Sequence, residues 1–466
     1  MKKTLLVLCL SLPLFAEVKH LSLHQAIKML KHDNLELKIA KFNARMKKIE
    51  AEAVEAKNYG RADLTIAAIR SNDALNVFGF KLQSREANFG DFGFRDFLNP
   101  LGEAIYGASQ AVPPSDMSGL LKVEPQDLNY PGARNHFQTK LSYSVPLYTG
   151  GKLTEYGRIS NMLYEMSLLD RRKLLNAKIY ETKKAFYDIS LVENYIVNLR
   201  KIIRNISTLE NVVRSMQKEG YAKETDLLEV QARKAEAESM YNQAKLNRAL
   251  AYQFLSFLLN TDIKSIRHVS ESAPMPRASR AALEMQNLDI QKAELGLQIS
   301  SHAMELEKSR YLPEVGAFAE YGSADNHLWN DFTGKDAYTV GVQMKWNLFS
   351  GGEDEKEVEK ARLNYLKTKD QVALARKGIA LKAKKLRTEI LSIDSDINSY
   401  RKQLRYARRV YENYKTRYEE GMVSISDVLI KQSKELEMLL KLLGAKNKRN
   451  TKIFELDSIL NRGAEV

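Results

Sequence analysis

One stretch of this chain is written twice. Residues 137–151 read FQTKLSYSVPLYTGG and residues 338–352 read YTVGVQMKWNLFSGG, so Leu147 corresponds to Leu348 across 201 positions and each copy ends in a glycine pair, Gly150–Gly151 and Gly351–Gly352. In the first copy Phe137, Leu141, Tyr143, Val145 and Leu147 alternate with Gln138, Lys140, Ser142 and Ser144. In the second, Tyr338, Val340, Val342, Met344, Trp346 and Leu348 alternate with Thr339, Gly341, Gln343, Lys345 and Asn347. Period two over roughly ten residues is the length and pattern of a tilted strand with lipid on one side and a wet lumen on the other. A half-buried strand of a soluble sheet alternates in the same way. The repetition, and what flanks it, decide between them.

The chain opens with a basic end (Lys2, Lys3), an apolar run from Leu5 to Phe15 and a small residue at Ala16, which is the pattern of a secretory signal peptide over residues 1–16. Leu14 is large for the position three before the cut, so the cleavage point itself is not fixed. The only cysteine, Cys9, lies inside this leader, and Leu8 before it is too large for a lipoprotein signal. The mature chain is therefore expected to carry neither a disulfide nor a thiolate metal site. No later run of about eighteen apolar residues would make a membrane helix. An exported chain of this kind is expected to be periplasmic, secreted, or a barrel in an outer membrane.

Richness in Ala, Glu, Lys, Leu and Arg with ten prolines in 466 residues points to long helices. The formal charge is +14, and basic residues interleave with tyrosines around Tyr400, Arg405, Tyr406, Arg409 and Tyr411. That mixture suits a nucleic-acid binder or the solvated face of a helix; export favours the second, and no nucleic-acid partner is expected. A Gly-rich phosphate loop, HExxH and a nucleophile elbow are absent, and the seven histidines show no metal spacing, so neither an enzyme nor a cofactor is expected.

The chain divides into a first structural repeat over 17–270 and a second over 271–466. Each has a helix, two strands, a long helix and a return helix. In the first, a helix over 21–58 leads to a strand over 62–69, and a Gly/Phe/Asn/Asp/Pro-rich insert of about 71–136 precedes the second strand. Long barrel loops lie outside the cell, so the insert is placed there. In the second, a helix over 280–310 ends at Tyr311-Leu312-Pro313, where proline removes an amide donor; strands are expected over 313–321 and 338–349. Long helices follow each glycine pair, 151–220 and 352–420, each reaching about 100 Å at 1.5 Å per residue. Heptad seams (Tyr195, Leu199, Ile202, Ile206, Leu209, Val213; Ile390, Ile393, Ile397, Tyr400, Leu404) argue coiled-coil packing, and a second offset seam argues neighbours on both sides.

The tips repeat too: Glu219-Gly220 with Thr225, Asp226 and Gln231 corresponds to Glu420-Gly421 with Ser426, Asp427 and Gln432. Glycine should end each outgoing helix, and Thr225/Asp226 or Ser426/Asp427 should cap the return helices, 225–260 and 426–462. Each return helix is half as long as its outgoing partner and needs a second helix stacked on it. The segment 280–310 is expected to complete the first and the N-terminal helix the second. Four strands cannot close a barrel, and open edges do not survive in lipid, so the chain must oligomerise.

Taken together, the leader, the duplicated strand–long helix–tip–return helix unit, the L-[YF]-[TS]-G-G strand exits, the Leu312-Pro313 helix exit and the tips make the mature chain resemble the TolC family of outer-membrane efflux proteins. The resemblance implies an α+β membrane protein: a homotrimer whose three sets of four strands form one twelve-stranded β-barrel in outer-membrane lipid, continuing into a long α-helical coiled-coil barrel in the periplasm. It implies a passive exit duct for a periplasmic adaptor and an inner-membrane pump of an efflux or type I secretion system. It also implies a periplasmic gate at Thr225, Asp226, Tyr418 and Asp427, with Tyr418 bonding to the first two, adaptor contact at the turns of Gly220 and Gly421, and strand–helix junctions at Gly150, Gly151, Pro313, Gly351 and Gly352. Val423 and Ile430 stand where the family has an arginine latch and a second acidic ring. Asp226 and Asp427 also fit the plainer role of helix caps. An exported soluble coiled-coil scaffold, or the adaptor itself, is the alternative from the residues alone.

Overall fold

The computed structural model describes residues 18–106, 122–269, 272–276, 283 and 285–461; the leader expected over 1–16 lies outside them. The chain divides into two compact units, one of 50–160 with 302–362, the other of the residues up to Ile49 with 161–301 and 363–466. Among the described residues no helix is long and apolar enough to cross a membrane.

The first unit is built on four antiparallel strands in the order of the chain: β1 (Arg61–Ser71), β2 (Arg134–Tyr148), β3 (Glu314–Asp325) and β4 (Asp336–Lys345). The register carries the sequence alternation across all four. Leu64, Leu141, Tyr321 and Tyr338 are directly opposed, as are Ala62, Tyr143, Ala319 and Val340. On the other face Asp63, Ser142, Glu320 and Thr339 are opposed, and Lys140 Nζ reaches Glu320 Oε1 at 3.1 Å. One face is thus apolar through the middle and helix end of the sheet, with Ser323, Asp325 and Asp336 at the β3–β4 turn end, and the other is mainly polar. The apolar face is uncovered within the chain: Val340 is 72 % and Val342 67 % exposed. Aromatic residues mark its two ends, with Tyr321, Tyr338, Trp329 and Phe332 near the β3–β4 turn and Trp346, Tyr148 and Tyr311 near the helices.

The strand ends differ from the sequence expectation, most at three places. β2 starts at Arg134 and β3 runs on to Asp325, because the strands continue pairing beyond their alternating cores. β4 stops at Lys345 rather than 349, since its last partner is Glu314 and the next residue of β3 would be Pro313, which has no amide to give. Trp346 leaves the ladder there and donates its ring N–H to Tyr311 O at 3.0 Å. The 71–136 insert also holds more order than its composition suggested: α3 (Ala74–Gln83), capped by Asp73 on Asn76 N–H, α4 (Phe94–Tyr106) and the single turn α5 (Gln126–Asn129). Four of its phenylalanines pair with one another, Phe78 on Phe92 and Phe89 on Phe94.

Helices make up the second unit: α1 (Leu23–Asp33), α2 (Leu35–Ala56), α6 (Lys152–Lys218), α7 (Glu224–Leu259), α8 (Leu288–Lys308), α9 (Glu353–Glu419) and α10 (Ile425–Ile459), of which α2, α6, α8 and α9 begin or end in the strand unit. The two long helices have 67 residues each, about 100 Å at 1.5 Å per residue. Their seams are buried: Leu199, Ile206, Leu209 and Val213 on α6, and Ile390, Ile393 and Ile397 on α9.

The stacking of the half-length helices is the reverse of the expectation. The N-terminal helices meet the end of α7, and α8 meets the end of α10. Two asparagines explain it. Asn34, 3 % exposed, accepts Leu37 N–H through Oδ1 at 3.0 Å and donates Nδ2–H to Leu258 O at 2.8 Å. Asn287, 4 % exposed, accepts Asp289 N–H and Ile290 N–H and donates to Ile459 O at 2.9 Å. Each amide caps the start of one helix and the open end of another, splicing α7 to α2 and α10 to α8. The matching Asn34-Leu35-Glu36-Leu37 and Asn287-Leu288-Asp289-Ile290 carry this role in the sequence.

Candidate functional site

Two constellations carry the sequence-predicted residues: the strand–helix junctions and the helix tips. At the junctions Gly150, Gly151, Gly351 and Gly352 all have positive φ, between 62 and 91°. A Cβ on Gly150 would lie 2.8 Å from Leu312 Cβ and 2.9 Å from Ser309 O, so the first glycine pair packs directly on the Leu312-Pro313 exit. Leu312 is extended (φ −105°, ψ 150°), as a residue before proline must be. The first repeat makes the same exit without proline. Gly60 (φ 75°) turns the chain into β1, and any side chain there would strike Ser144 O at 2.3 Å. In the sequence this junction shows only as a lone glycine after a helical run.

At the first tip Tyr221 N–H reaches back to Met216 O at 2.8 Å, and at the second Met422 N–H reaches Arg417 O at 2.8 Å. With Gly220 at φ 81° and Gly421 at φ 75°, these are helix ends closed through a left-handed glycine. The return helices start one residue earlier than expected, at Glu224 and Ile425, and their capping positions lie two residues earlier. Lys223 and Ser424 are the capping positions, not Thr225 and Ser426. Asp226 and Asp427 therefore sit in the first turn and reach back, to Lys223 N–H at 3.0 Å and Ser424 N–H at 3.3 Å. Ser424 Oγ donates to Asp427 at 2.6 Å and accepts Asp427 N–H at 3.1 Å, a reciprocal capping box. The capping role of both aspartates is thus realised. The Ser424 hydroxyl and amide hold the Asp427 carboxyl below its ordinary range.

Tyr418 is 6 % exposed and packs among Val213, Val230, Ile425, Val428 and Leu429. Burial first, and then the nearby Asp226 charge, push its phenol up. It makes no hydrogen bond to Thr225 or Asp226 in the single chain, so of the implied gate contacts only the proximity of Tyr418 to Asp226 is present. Val423 packs into the same cluster where a latch arginine would stand, while Ile430 is 56 % exposed. The two return helices are joined near the tips by Ser426 Oγ to Glu229 Oε2 at 2.6 Å. Behind them the repeats diverge. Glu210 is buried and takes bonds from Arg214, Lys234 and Gln231. At the equivalent place Tyr411 Oη and Gln432 Nε2 are buried without a partner, and burial pushes the Tyr411 phenol up to about 12. Beyond each tip glycine stands an exposed residue, Tyr221 at 78 % and Met422 at 64 %, which the glycine motif did not reveal. Among the described residues no group of three or more His, Cys, Asp or Glu is placed to hold a metal ion.

Residues 280–462 match the family model described as "Outer membrane efflux protein". No curated protein sequence matches the chain significantly. Solved structures match it over nearly its whole length. CusC, described for transmembrane channel formation, has a TM-score of 0.74 at 14% identity, covering 96% of this chain and 92% of its own. The Campylobacter jejuni outer membrane channel CmeC has a TM-score of 0.74 at 16% identity, covering 95% and 86%. The Vibrio cholerae outer membrane protein VceC has a TM-score of 0.71 at 14% identity, covering 95% of each.

Proposed function

We infer that this chain, a member of the outer membrane efflux protein family, is the outer-membrane exit duct of a tripartite efflux or secretion system. It is a channel component, not an enzyme. The observation that carries the reading is the sheet: four strands, one face with a continuous apolar band, the other mainly polar, and the outer edges of β1 and β4 unpaired among the described residues. In water such a face would aggregate and such edges would recruit strands. In a bilayer the apolar face meets lipid, and pairing β1 of one chain with β4 of the next removes both edges. Three chains give twelve strands, and the polar face then lines a lumen.

The helices supply the periplasmic part. Beside the buried seams α9 carries exposed leucines, Leu374 at 70 % and Leu381 at 68 %, and a trimer covers them by closing the helices into a tube. At the tips, three Asp427 carboxylates, kept ionised by their capping boxes, would ring the narrow end and concentrate cations. Thr225, Asp226 and Tyr418 of adjoining helices would hold the closed state. The turns of Gly220 and Gly421 with exposed Tyr221 and Met422 form the contact for a periplasmic adaptor, which couples the duct to an inner-membrane pump. The chain itself needs no cofactor. Reconstitution in planar bilayers tests the reading: trimers should insert and conduct, whereas protein that stays in water without detergent and never conducts would replace the duct with an exported coiled-coil scaffold.

A further inference from the structure

The two strand connections at the β3–β4 turn end of the sheet are very unequal, 72–133 between β1 and β2 against 326–335 between β3 and β4. The long one takes a side. His136 and Arg134 sit at even positions of β2 and so share the polar face with Gln138, Lys140 and Ser142. The Phe80 ring of α3 stacks flat on the His136 ring, with centroids 4.1 Å apart and planes 6° from parallel. Arg134 donates to Ser84 Oγ at 2.9 Å and to Glu86. Val77, Phe80, Ser84 and His136 are all buried, while the middle of the sheet stays open, with Leu141 50 % and Val340 72 % exposed. The short connection goes the other way: Trp329 donates to Thr139 Oγ1 at 3.0 Å, and Phe332 packs on Tyr321, both on the apolar face.

We propose that α3 and the segment after it form a constriction inside the extracellular mouth of the duct, pinned to the lumenal face by Phe80 on His136 and by Glu86 between Arg134 and Lys335. The proposal rests on the duct reading for which face is lumen. Glu86 is shared by Arg134 of β2 and Lys335 of the β3–β4 turn, and Lys335 also holds Asp325 at 2.8 Å. Burial alone would raise the Glu86 carboxyl, but the bonds from Arg134 and Lys335 outweigh it and hold it down. Arg85 adds bonds to Gly334 O, at 3.3 Å, and Asp336 O. The insert is thus clamped to strands on both sides of it.

Size says what the clamp does. Twelve strands about 4.8 Å apart, tilted about 40°, enclose a backbone circle about 24 Å across. Helices about 10 Å across, three side by side, need a circle of about 22 Å. The strands' own lumenal side chains narrow that circle further, so one α3 per chain fills the mouth at its rim, where its contacts with Arg134 and His136 lie at the end of β2. Outward passage of a large solute then requires breaking the Glu86 clamp, which makes Phe80 and Glu86 residues that decide what size of solute leaves.

The test uses the cysteine-free mature sequence. Single Ser144→Cys, on the lumenal face beneath the insert, and Leu141→Cys, on the apolar face, are made in the full chain. Both are labelled from outside intact cells with a small charged maleimide and with the same maleimide on a long polyethylene glycol. The small reagent should reach Ser144→Cys and not Leu141→Cys; equal labelling of both overturns the duct reading itself. The large reagent should label Ser144→Cys slowly. Adding Glu86→Gln or Phe80→Ala should speed it about tenfold, the change expected for one lost charge-assisted contact. Large and small reagents labelling Ser144→Cys alike in the unaltered insert would overturn the constriction while leaving the duct standing. A variant that does not assemble is replaced by Lys335→Gln, which breaks the same clamp from the turn and must give the same acceleration.

Discussion

Replacing Asn34 by alanine removes two contacts with one side chain. Loss of the Oδ1 acceptor leaves Leu37 N–H uncapped, which costs about 1 kcal/mol. Loss of Nδ2 leaves Leu258 O, at the end of α7, without its buried donor, which costs about 1–3 kcal/mol more. Together the splice between α7 and α2 should weaken by about 2–4 kcal/mol, or roughly 30- to 1000-fold in local opening. Native-state hydrogen exchange on the detergent-solubilised protein reads this directly. The Leu37 amide and the last-turn amides of α7 should lose protection by that factor, while amides at the α10–α8 splice, which Asn287 holds, should not change. Asn34→Asp keeps the acceptor and loses the donor, so it should expose the α7 end more than the α2 start. A change below about fivefold at Leu37 in Asn34→Ala would refute the splice as the device that orders these helices, and the reversed stacking would need another cause.

Four further outcomes follow from the same structure. Asp427→Ala should weaken block of single-channel conductance by multivalent cations, and unchanged block would mean that Asp427 does not line the pore. The Asp427 carboxyl is depressed in the folded chain, so its capping contribution is present above the unfolded value of 3.8 and is lost as pH falls through the lower folded value; amides at 424–428 should lose protection in that acid window, and Asp427→Asn should abolish the pH dependence. Gly220→Pro or Gly421→Pro, which cannot take φ near +80°, should impair export in a growth assay with trimer assembly intact; loss of the trimer itself would contradict a role confined to the tip. Val342→Arg on the apolar face should destabilise barrel assembly by about 2–4 kcal/mol whereas Ser142→Arg should be tolerated, and equal effects on trimer yield would contradict the assignment of faces.

The duplication made most of the fold legible. Period two across 137–147 and 338–345 named both faces of the sheet, the glycine pairs and Leu312-Pro313 named three of the four junctions between strand and helix, and the tip glycines named the turns between helices. What escaped was chemistry that needs a distant partner. Asn34 and Asn287 look like ordinary helix starts in sequence, and only their second bond, to carbonyls more than 170 residues away, shows which helix each continues. Gly60 could not be read as a junction because its requirement comes from Ser144 on a neighbouring strand. Ser424 and Ser426 precede the same apolar run, so the pattern alone does not distinguish the cap from the residue two places on. The insert read as irregular because α3 is short and is held by His136 and Arg134 rather than by its own periodicity.

Four strands per chain close only as part of a trimer. Native mass spectrometry of the protein extracted from outer membranes into detergent measures this most directly. Three chains per particle, with the trimer lost when β1 or β4 is prevented from pairing by an edge proline, is the predicted result. A monomer or dimer whose mass does not depend on detergent would contradict the closed barrel, and with it the duct.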